Sequence, residues 1–399
     1  MTHRVVITGM GCISGLGIGL EATWTRARDG HGAIRAIERP GLSGVAAAIE
    51  GAEGLAIPPD WRRLGRLDPL SLHALTATAE ALEAADLVGH AVLRDRTAIL
   101  VGCGSGGNAT VDSAYERLYA RNAARVHPQT IPSSMISAPA AHIAMAFGVH
   151  GPTFVLASAC ASSTHAIGEA MHMIRSGRVD VAIAGGAEAC LTPGSWMAWQ
   201  SLGAMAPDSC RPFSQGRRGM VLGEGAAMMI LESEAHAHAR GATIWGEVAG
   251  YGASCDATDI TAPDSDGIVA AIRAAHADAG IHPDVPALIS SHGTGTSLND
   301  AAETVALHTV YAAGLDRHAV IATKSAHGHM IGATGAMEFL LGIMALREKA
   351  APPVLNYLGP DPACALPLVT ASRVIDQEVL VSNSFAFGGL NAVLIGRAA

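Results

Sequence analysis

Residues Thr153–Gly177 read TFVLASACASSTHAIGEAMHMIRSG, and the fold follows from how this stretch changes period. Thr153, Phe154 and Val155 are β-branched or aromatic and predict a buried strand. Beyond Cys160, the positions Ala166, Ile167, Ala170, Met171 and Ile174 recur at helical spacing, and Gly177 marks a stop. A strand, a tight turn and a helix place Cys160 near a helix N-terminus. Unpaired N–H groups and the helix dipole there are expected to lower the thiol pKa and favour a nucleophilic thiolate. A free cysteine is also an ordinary small core residue, so the position alone leaves both readings open.

The same strand-to-loop pattern returns along the chain. Thr97–Gly107 (TAILVGCGSGG) and Val179–Glu188 (VDVAIAGGAE) are apolar strands running into glycines. After about Gly250 the pattern restarts with a helix near 268–280, a strand at 287–291 that ends in HGTGT, and a strand at 319–323 that runs into KSAHGHMIGATG. A helix follows to Glu348, and a last strand pair spans about 378–396. Strand–loop–helix occurs in both parts, so the chain reads as an internal duplication with a largely parallel α/β sheet. The expected halves are 1–250, carrying the cysteine, and 251–399, carrying the histidines and lysine.

Composition removes several classes of function. Aromatic residues are 4% of the 399 and the net charge is −9, which opposes binding to phosphate backbones and offers no stacking surface. No nucleic-acid partner is expected. Seven scattered cysteines form no CxxC pair, so the thiols are read as reduced and the compartment as cytoplasmic. No apolar run reaches spanning length, and no membrane association is expected. The glycine-rich Gly9–Gly17 (GMGCISGLG) follows a short strand at 4–9. Ser14 stands where a dinucleotide fingerprint needs its third glycine. Arg62, Arg63 and Arg66 form a basic cluster ahead of a helical pattern. Gly203–Gly225 reads as a long ordered loop with Arg211, Arg217 and Arg218 exposed.

Three loops at the C-terminal ends of strands converge where open α/β sheets place ligands. They carry Cys160, His292, and Lys324 with His329, and a fourth loop offers Phe387 beside Gly388 and Gly389. A thiol and two imidazoles suit acyl transfer through a thioester. Backbone N–H groups at the helix start would hold the oxyanion, and the imidazoles would stabilise an enolate. This chemistry needs no metal, and the spacing shows no metal motif.

Ala159–Ser163 (ACASS), Ser291–Asp300 (SHGTGTSLND), Thr323–Glu338 (TKSAHGHMIGATGAME) and Asn383–Asn391 (NSFAFGGLN) together resemble the motif series of the β-ketoacyl-[acyl-carrier-protein] synthases. The resemblance runs along essentially the whole chain and implies a thiolase-like, five-layer αβαβα sandwich of two duplicated halves. It implies decarboxylative Claisen condensation: an acyl chain moves from acyl carrier protein to Cys160 and is extended by malonyl-carrier protein. His292 and His329 would assist decarboxylation, Lys324 would hold the array, and Glu338 would support it. Phe387 would gate the site, its N–H and that of Cys160 forming the oxyanion hole. Thr261, Thr294 and Thr296 would contact the pantetheine arm.

The family's acyl-pocket positions match Ser105 and Ser163, smaller or more polar than is common, and Ser105 is expected to leave room for a longer chain. Arg62, Arg63, Arg66 and Arg211 would dock the acidic carrier. No cofactor beyond the carrier's phosphopantetheine is implied, and the partner would be an identical subunit or a chain-length-factor-like one. Ala206–Ser214 (APDSCRPFS) resembles nodulation-type and type II polyketide enzymes. Ala386 and Leu390 add bulk where NSFGFGGTN is usual. A thiolase would need a second cysteine where FAFGGLN stands, and an initiating synthase would have asparagine at His329. A Cys-His hydrolase would leave Lys324 and one histidine without a purpose. A non-elongating chain-length-factor-like subunit is the alternative, against which Cys160 argues.

Overall fold

The computed structural model describes residues 3–399 apart from 52–54, 56 and 57. Strand β1 (Val5–Ser14) runs past the strand expected at 4–9 and through much of the glycine-rich segment. Helix α1 (Pro69–Ala84) explains why. A Cβ on Gly9 would lie 2.1 Å from the Ala81 carbonyl oxygen, and one on Gly11 2.2 Å from that of Ala77. Glycine within a strand here marks two backbones in contact, so the segment keeps its extended form and binds no nucleotide phosphate.

Strands β2 (Thr97–Gly102), β3 (Thr153–Leu156), β4 (Val181–Glu188) and β5 (Gly225–Ser233) complete the first half. Outward from β1 the order is β1–β5–β4–β2–β3, the first two pairings antiparallel and the last two parallel. The second half contains β6 (Gly246–Cys255), β7 (Ala287–Ser290), β8 (Ala319–Ile321), β9 (Val379–Ala386) and β10 (Leu390–Ala398). Its order, β6–β10–β9–β7–β8, repeats the same succession of directions. The halves meet where Val6 and Ile7 of β1 pair with Glu247 and Gly246 of β6. The duplication read from the repeated pattern is therefore a topological one. The boundary expected at 250/251 falls inside β6, whose bond to β1 begins at Gly246.

The layers follow from which faces are apolar. Helix α2 (Ser162–Arg175) and helix α5 (Thr334–Glu348) pack on each other between the two half-sheets. Met171, Ile174, Met337 and Leu340 lie in that central core, together with inward side chains of both half-sheets. Helix α1 closes the outer face of the first half, where Leu75, Ala81 and Leu82 meet Ile99 and Ile183. Helices α3 (Ser265–Ala279) and α4 (Ser297–Tyr311) cover the second, where Ile272 and Leu307 meet Ile289 and Val393. The result is the αβαβα order of a thiolase-like fold. Its small-residue composition is what lets two helices and two sheets approach so closely.

One strand departs from expectation. β3 was read as buried, but it bonds to β2 on one side only, and Phe154 is 41% exposed. Phe154 faces outward at a free sheet edge, while Val155 and Leu156 pack half-buried against the core.

Candidate active site

Cys160 sits in a single 3₁₀ turn (Ala159–Ala161) between β3 and α2. Ala159 is held at φ 48°, a left-handed conformation unusual for a residue with a Cβ, which makes the elbow sharp enough to present the thiol. His329 Nε2 lies 3.0 Å from Cys160 Sγ, and its Nδ1 lies 2.9 Å from the Thr334 hydroxyl. With Thr334 accepting from Nδ1–H, Nε2 is free to receive the thiol proton. The ring of His292 stands edge-on to that of His329, with centroids 5.6 Å apart.

Lys324 is fully buried beneath the two histidines. Its ammonium donates to both oxygens of Glu338 at 2.8 and 3.0 Å, to His292 Nδ1 at 3.2 Å, and to the His292 carbonyl. A donor at Nδ1 leaves the His292 proton on Nε2, so this imidazole is a neutral donor. Burial first, and then the Lys324 charge, hold both histidines well below the ordinary imidazole pKa of 6.5. Burial likewise lifts Glu338 to about 7, with Lys324 opposing it.

The thiol departs from the sequence expectation. Burial pushes Cys160 up to about 12; the Lys324 cation pulls it down, while Glu188 and Glu338 push it up. The helix start does not offset this, because the turn is sealed in the core and the thiol is 6% exposed. The resting couple is thus neutral thiol and neutral imidazole, and the proton moves to His329 as sulfur attacks.

This neutral state sets the pH dependence. The acid limb of any reaction that needs uncharged His292 and His329 should lie below pH 6.5, because a depressed pKa keeps the neutral form populated as pH falls. Decarboxylation of malonyl-carrier protein between pH 5 and 8 measures it. A limb at or above 6.5 would contradict the arrangement.

A cleft of ≈ 420 Å³ opens above these groups. Cys160, His292, His329 and Phe387 line it, and so do Thr261, Thr294 and Thr296, so the three threonines converge on one channel. Thr294 and Thr296 share a hydrogen bond of 2.7 Å, and Thr261 is held by Asp259. The Phe387 ring stacks on Trp199 at 6.1 Å between centroids. Leu390 lies under the turn, 3.8 Å from where a Gly388 Cβ would stand, and packs the gate, whereas Ala386 lines the channel itself.

Other expected residues fall elsewhere. Ser163 is fully buried and its hydroxyl accepts from Ala336 N–H at 2.9 Å, so it ties α2 to α5 and does not line the cleft. Ser105 is also absent from the cleft lining: its hydroxyl donates to Glu188 at 2.6 Å. Arg211 and Arg217 were expected to be exposed, yet their side chains are only 15% and 9% accessible. Arg211 is held by Asp208, and Arg217 by Asp361 beside Asp300. These pairings draw both side chains in from solvent. Arg62, Arg63 and Arg66 are exposed on the segment that precedes α1, with Arg63 donating to the Met145 carbonyl, and none of them lines the cleft.

Sequence reasoning overlooked two buried carboxylates. Glu303 accepts from His292 N–H and Gly293 N–H at 2.8 and 2.9 Å, and Asp300 accepts from Gly295 N–H and Phe213 N–H. Burial lifts Glu303 to about 7 and Asp300 to about 6. Their i,i+3 spacing on α4, directly after HGTGT, was the available signal: both face back onto the loop they brace. The sequence reading also missed that Cys160, His292 and His329 bring three potential metal-ligand atoms within 4.8 Å of one another. The adjoining Lys324 ammonium opposes a cation there, and the tautomer it enforces puts a proton on the His292 nitrogen that would have to bind.

The arrangement can pass an acyl group to sulfur, with His329 taking the thiol proton, and polarise a second carbonyl with the neutral His292 imidazole. Residues 2–237 match the model of the β-ketoacyl synthase N-terminal domain, and residues 245–358 that of the C-terminal domain. The chain belongs to the β-ketoacyl synthase family. It is 42% identical to Nodulation protein E of Rhizobium sp. (strain N33), over 100% of both chains. It is 34% identical to 3-oxoacyl-[acyl-carrier-protein] synthase 2 of Staphylococcus aureus (strain COL), over 98% of this chain and 97% of that one. A solved structure described as the ishigamide ketosynthase/chain length factor superposes with a TM-score of 0.93 at 33% identity, covering all of both chains. The protein is thus a ketosynthase-type acyltransferase. Among the described residues, no helix is long and apolar enough to cross a membrane.

Proposed function

We propose that this chain is an elongating ketosynthase. In this reading Cys160 accepts an acyl chain from acyl carrier protein, and malonyl-carrier protein is decarboxylated between His292 and His329. The resulting enolate attacks the thioester to give a 3-oxoacyl product. The observation that carries the reading is the 3.0 Å contact of Cys160 Sγ with His329 Nε2, at the floor of a channel whose walls include three threonines. A chain-length-factor role would leave this nucleophile and its proton acceptor idle. The N–H groups of Cys160 and Phe387 hold the oxyanion, Lys324 with Glu338 fixes His292, and Thr261, Thr294 and Thr296 bind the pantetheine arm. No cofactor besides that arm is required. A carrier-bound acyl chain, fatty-acid-like or of type II polyketide kind, is the substrate class we assign. This is in keeping with a relative named for 3-oxoacyl-[acyl-carrier-protein] synthesis and a neighbour described as a type II PKS acyl-carrier protein in complex with its ketosynthase. The exposed apolar edge at β3 fits a dimer partner, identical or chain-length-factor-like.

Incubation with an acyl-carrier thioester, followed by intact-mass analysis, tests the assignment. An acyl adduct on the wild-type chain that is lost in Cys160→Ala supports it, and no adduct overturns it.

Carrier docking is assigned to Arg62 and Arg66, which remain exposed on a protein of net charge −9. Reversing both to glutamate should raise KM for the carrier-bound substrate about fivefold, the scale of ~1 kcal/mol of surface attraction. A pantetheine-thioester mimic should be unaffected. Equal changes for both substrates would place docking elsewhere.

A further inference from the structure

Glu188 ends β4 fully buried, and the mechanism above gives it no part. Its carboxylate accepts from Gly104 N–H at 2.8 Å, from Ser105 O–H at 2.6 Å and from Gly332 N–H at 3.1 Å. Gly104 and Ser105 belong to the glycine loop after β2. Gly332 lies three residues beyond His329, in the turn that leads into α5. A Cβ on Gly332 would stand 2.4 Å from Gly104 N, so the two loops touch and the carboxylate closes the joint between them. The turn it clamps includes Ile331 at φ 43°, a left-handed conformation that a β-branched residue adopts only under constraint.

We infer that Glu188 is a positioning residue for the Cys160–His329 couple: it clamps the turn after His329 to the glycine loop. This assignment rests on the ketosynthase reading for its consequence, though not for its geometry. The clamp acts through Gly332 on the segment 330–333, whose start fixes where His329 Nε2 meets sulfur. Every donor that the carboxylate accepts from is neutral, and these bonds oppose the burial that raises its pKa. Cys103 from the glycine loop, Cys160 from the nucleophile turn and Cys190 beyond β4 are the titratable groups its charge acts on, while His73 from α1 bonds to the Glu188 backbone. Around the thiol itself stand His329, Lys324 and Glu338.

Glu188→Gln keeps one oxygen for the glycine N–H groups and removes the charge. The rate of iodoacetamide alkylation at Cys160, located by peptide mass, is followed against pH in the full-length protein. The profile should move to lower pH by ~1 unit, the usual scale for one adjacent charge. The kcat for condensation should fall about tenfold, with KM for the carrier changed little, as expected when alignment rather than binding is lost. If Glu188→Gln does not fold, Ser105→Ala loosens the same clamp while leaving the charge, and should lower kcat by less with KM for the carrier unchanged; an unchanged kcat overturns the assignment. A profile superimposable on wild type in folded Glu188→Gln overturns the assignment. Alkylation needs neither carrier nor condensation, so this result is independent of whether the ketosynthase reading holds.

Discussion

Cys160→Ala should lower condensation by on the order of 10⁴-fold or more, the scale seen when the nucleophile of an interdependent catalytic unit is removed. The loss follows from geometry. His329 Nε2 is the sole imidazole nitrogen hydrogen-bonded to the thiol among the described residues, and no second cysteine lines the cleft. Cys160→Gln separates the two half-reactions. Its amide occupies the place of an acylated sulfur, while His292, held by Lys324, keeps its Nε2 donor and His329 stays fixed by Thr334. Carbon dioxide release from malonyl-carrier protein should therefore persist in Cys160→Gln while extension stops. Normal 3-oxoacyl product from Cys160→Ala, read by mass spectrometry of the carrier, would remove Cys160 from the mechanism. The resting thiol bears on a further detail. With Cys160 lifted to about 12 by burial, few molecules hold a free thiolate near neutrality, and reactivity comes from proton transfer to His329 during attack.

Much of this site was legible because its residues sit where the sequence changes period. The shift from extended to helical spacing at Cys160, and the strands that stop at HGTGT and KSAHGH, are local events that the chain records directly. The duplication was legible for the same reason, since each half repeats the same succession of strand, loop and helix. What the sequence concealed was set by distant contacts. Gly9 and Gly11 resemble a loop until α1 is seen lying on them, and Arg217 resembles a surface charge until Asp361 is found beside it. The thiol pKa was misjudged because the helix start can be read from sequence, whereas desolvation by five packed layers cannot. Ser105 and Ser163 were matched by motif position, which carries no record of their hydrogen bonds. One hydroxyl serves Glu188 and the other serves the α5 backbone, and neither lines the cleft. Glu303 and Asp300 carried a spacing signal, but only the return of α4 onto its own N-terminal loop gives that spacing a meaning.

Lys324→Ala should be the most damaging single change to stability at this site. Lys324 and Glu338 are both fully inaccessible, and removing one member of such a pair costs about 3–5 kcal/mol because the other is left charged and dry. Glu338 would escape part of that cost by holding its proton. Its pKa, already about 7 in the folded protein, must rise further without the ammonium. A carboxyl whose folded pKa is raised stabilises below its unfolded pKa and loses that contribution as pH rises through the folded value. The gap in Tm between wild type and Lys324→Ala should therefore be wider at pH 8 than at pH 6. Activity should fall separately, by on the order of 10²–10³, since His292 loses the donor that keeps its proton on Nε2. The double change Lys324→Met with Glu338→Leu distinguishes these effects. Replacing both charges with apolar groups of similar volume should restore most of the stability, as for other buried pairs, while decarboxylation stays low. Recovery of decarboxylation along with Tm would mean that the pair serves the fold alone. Stability without activity would place Lys324 in the chemistry, holding His292 in the tautomer that faces the cleft.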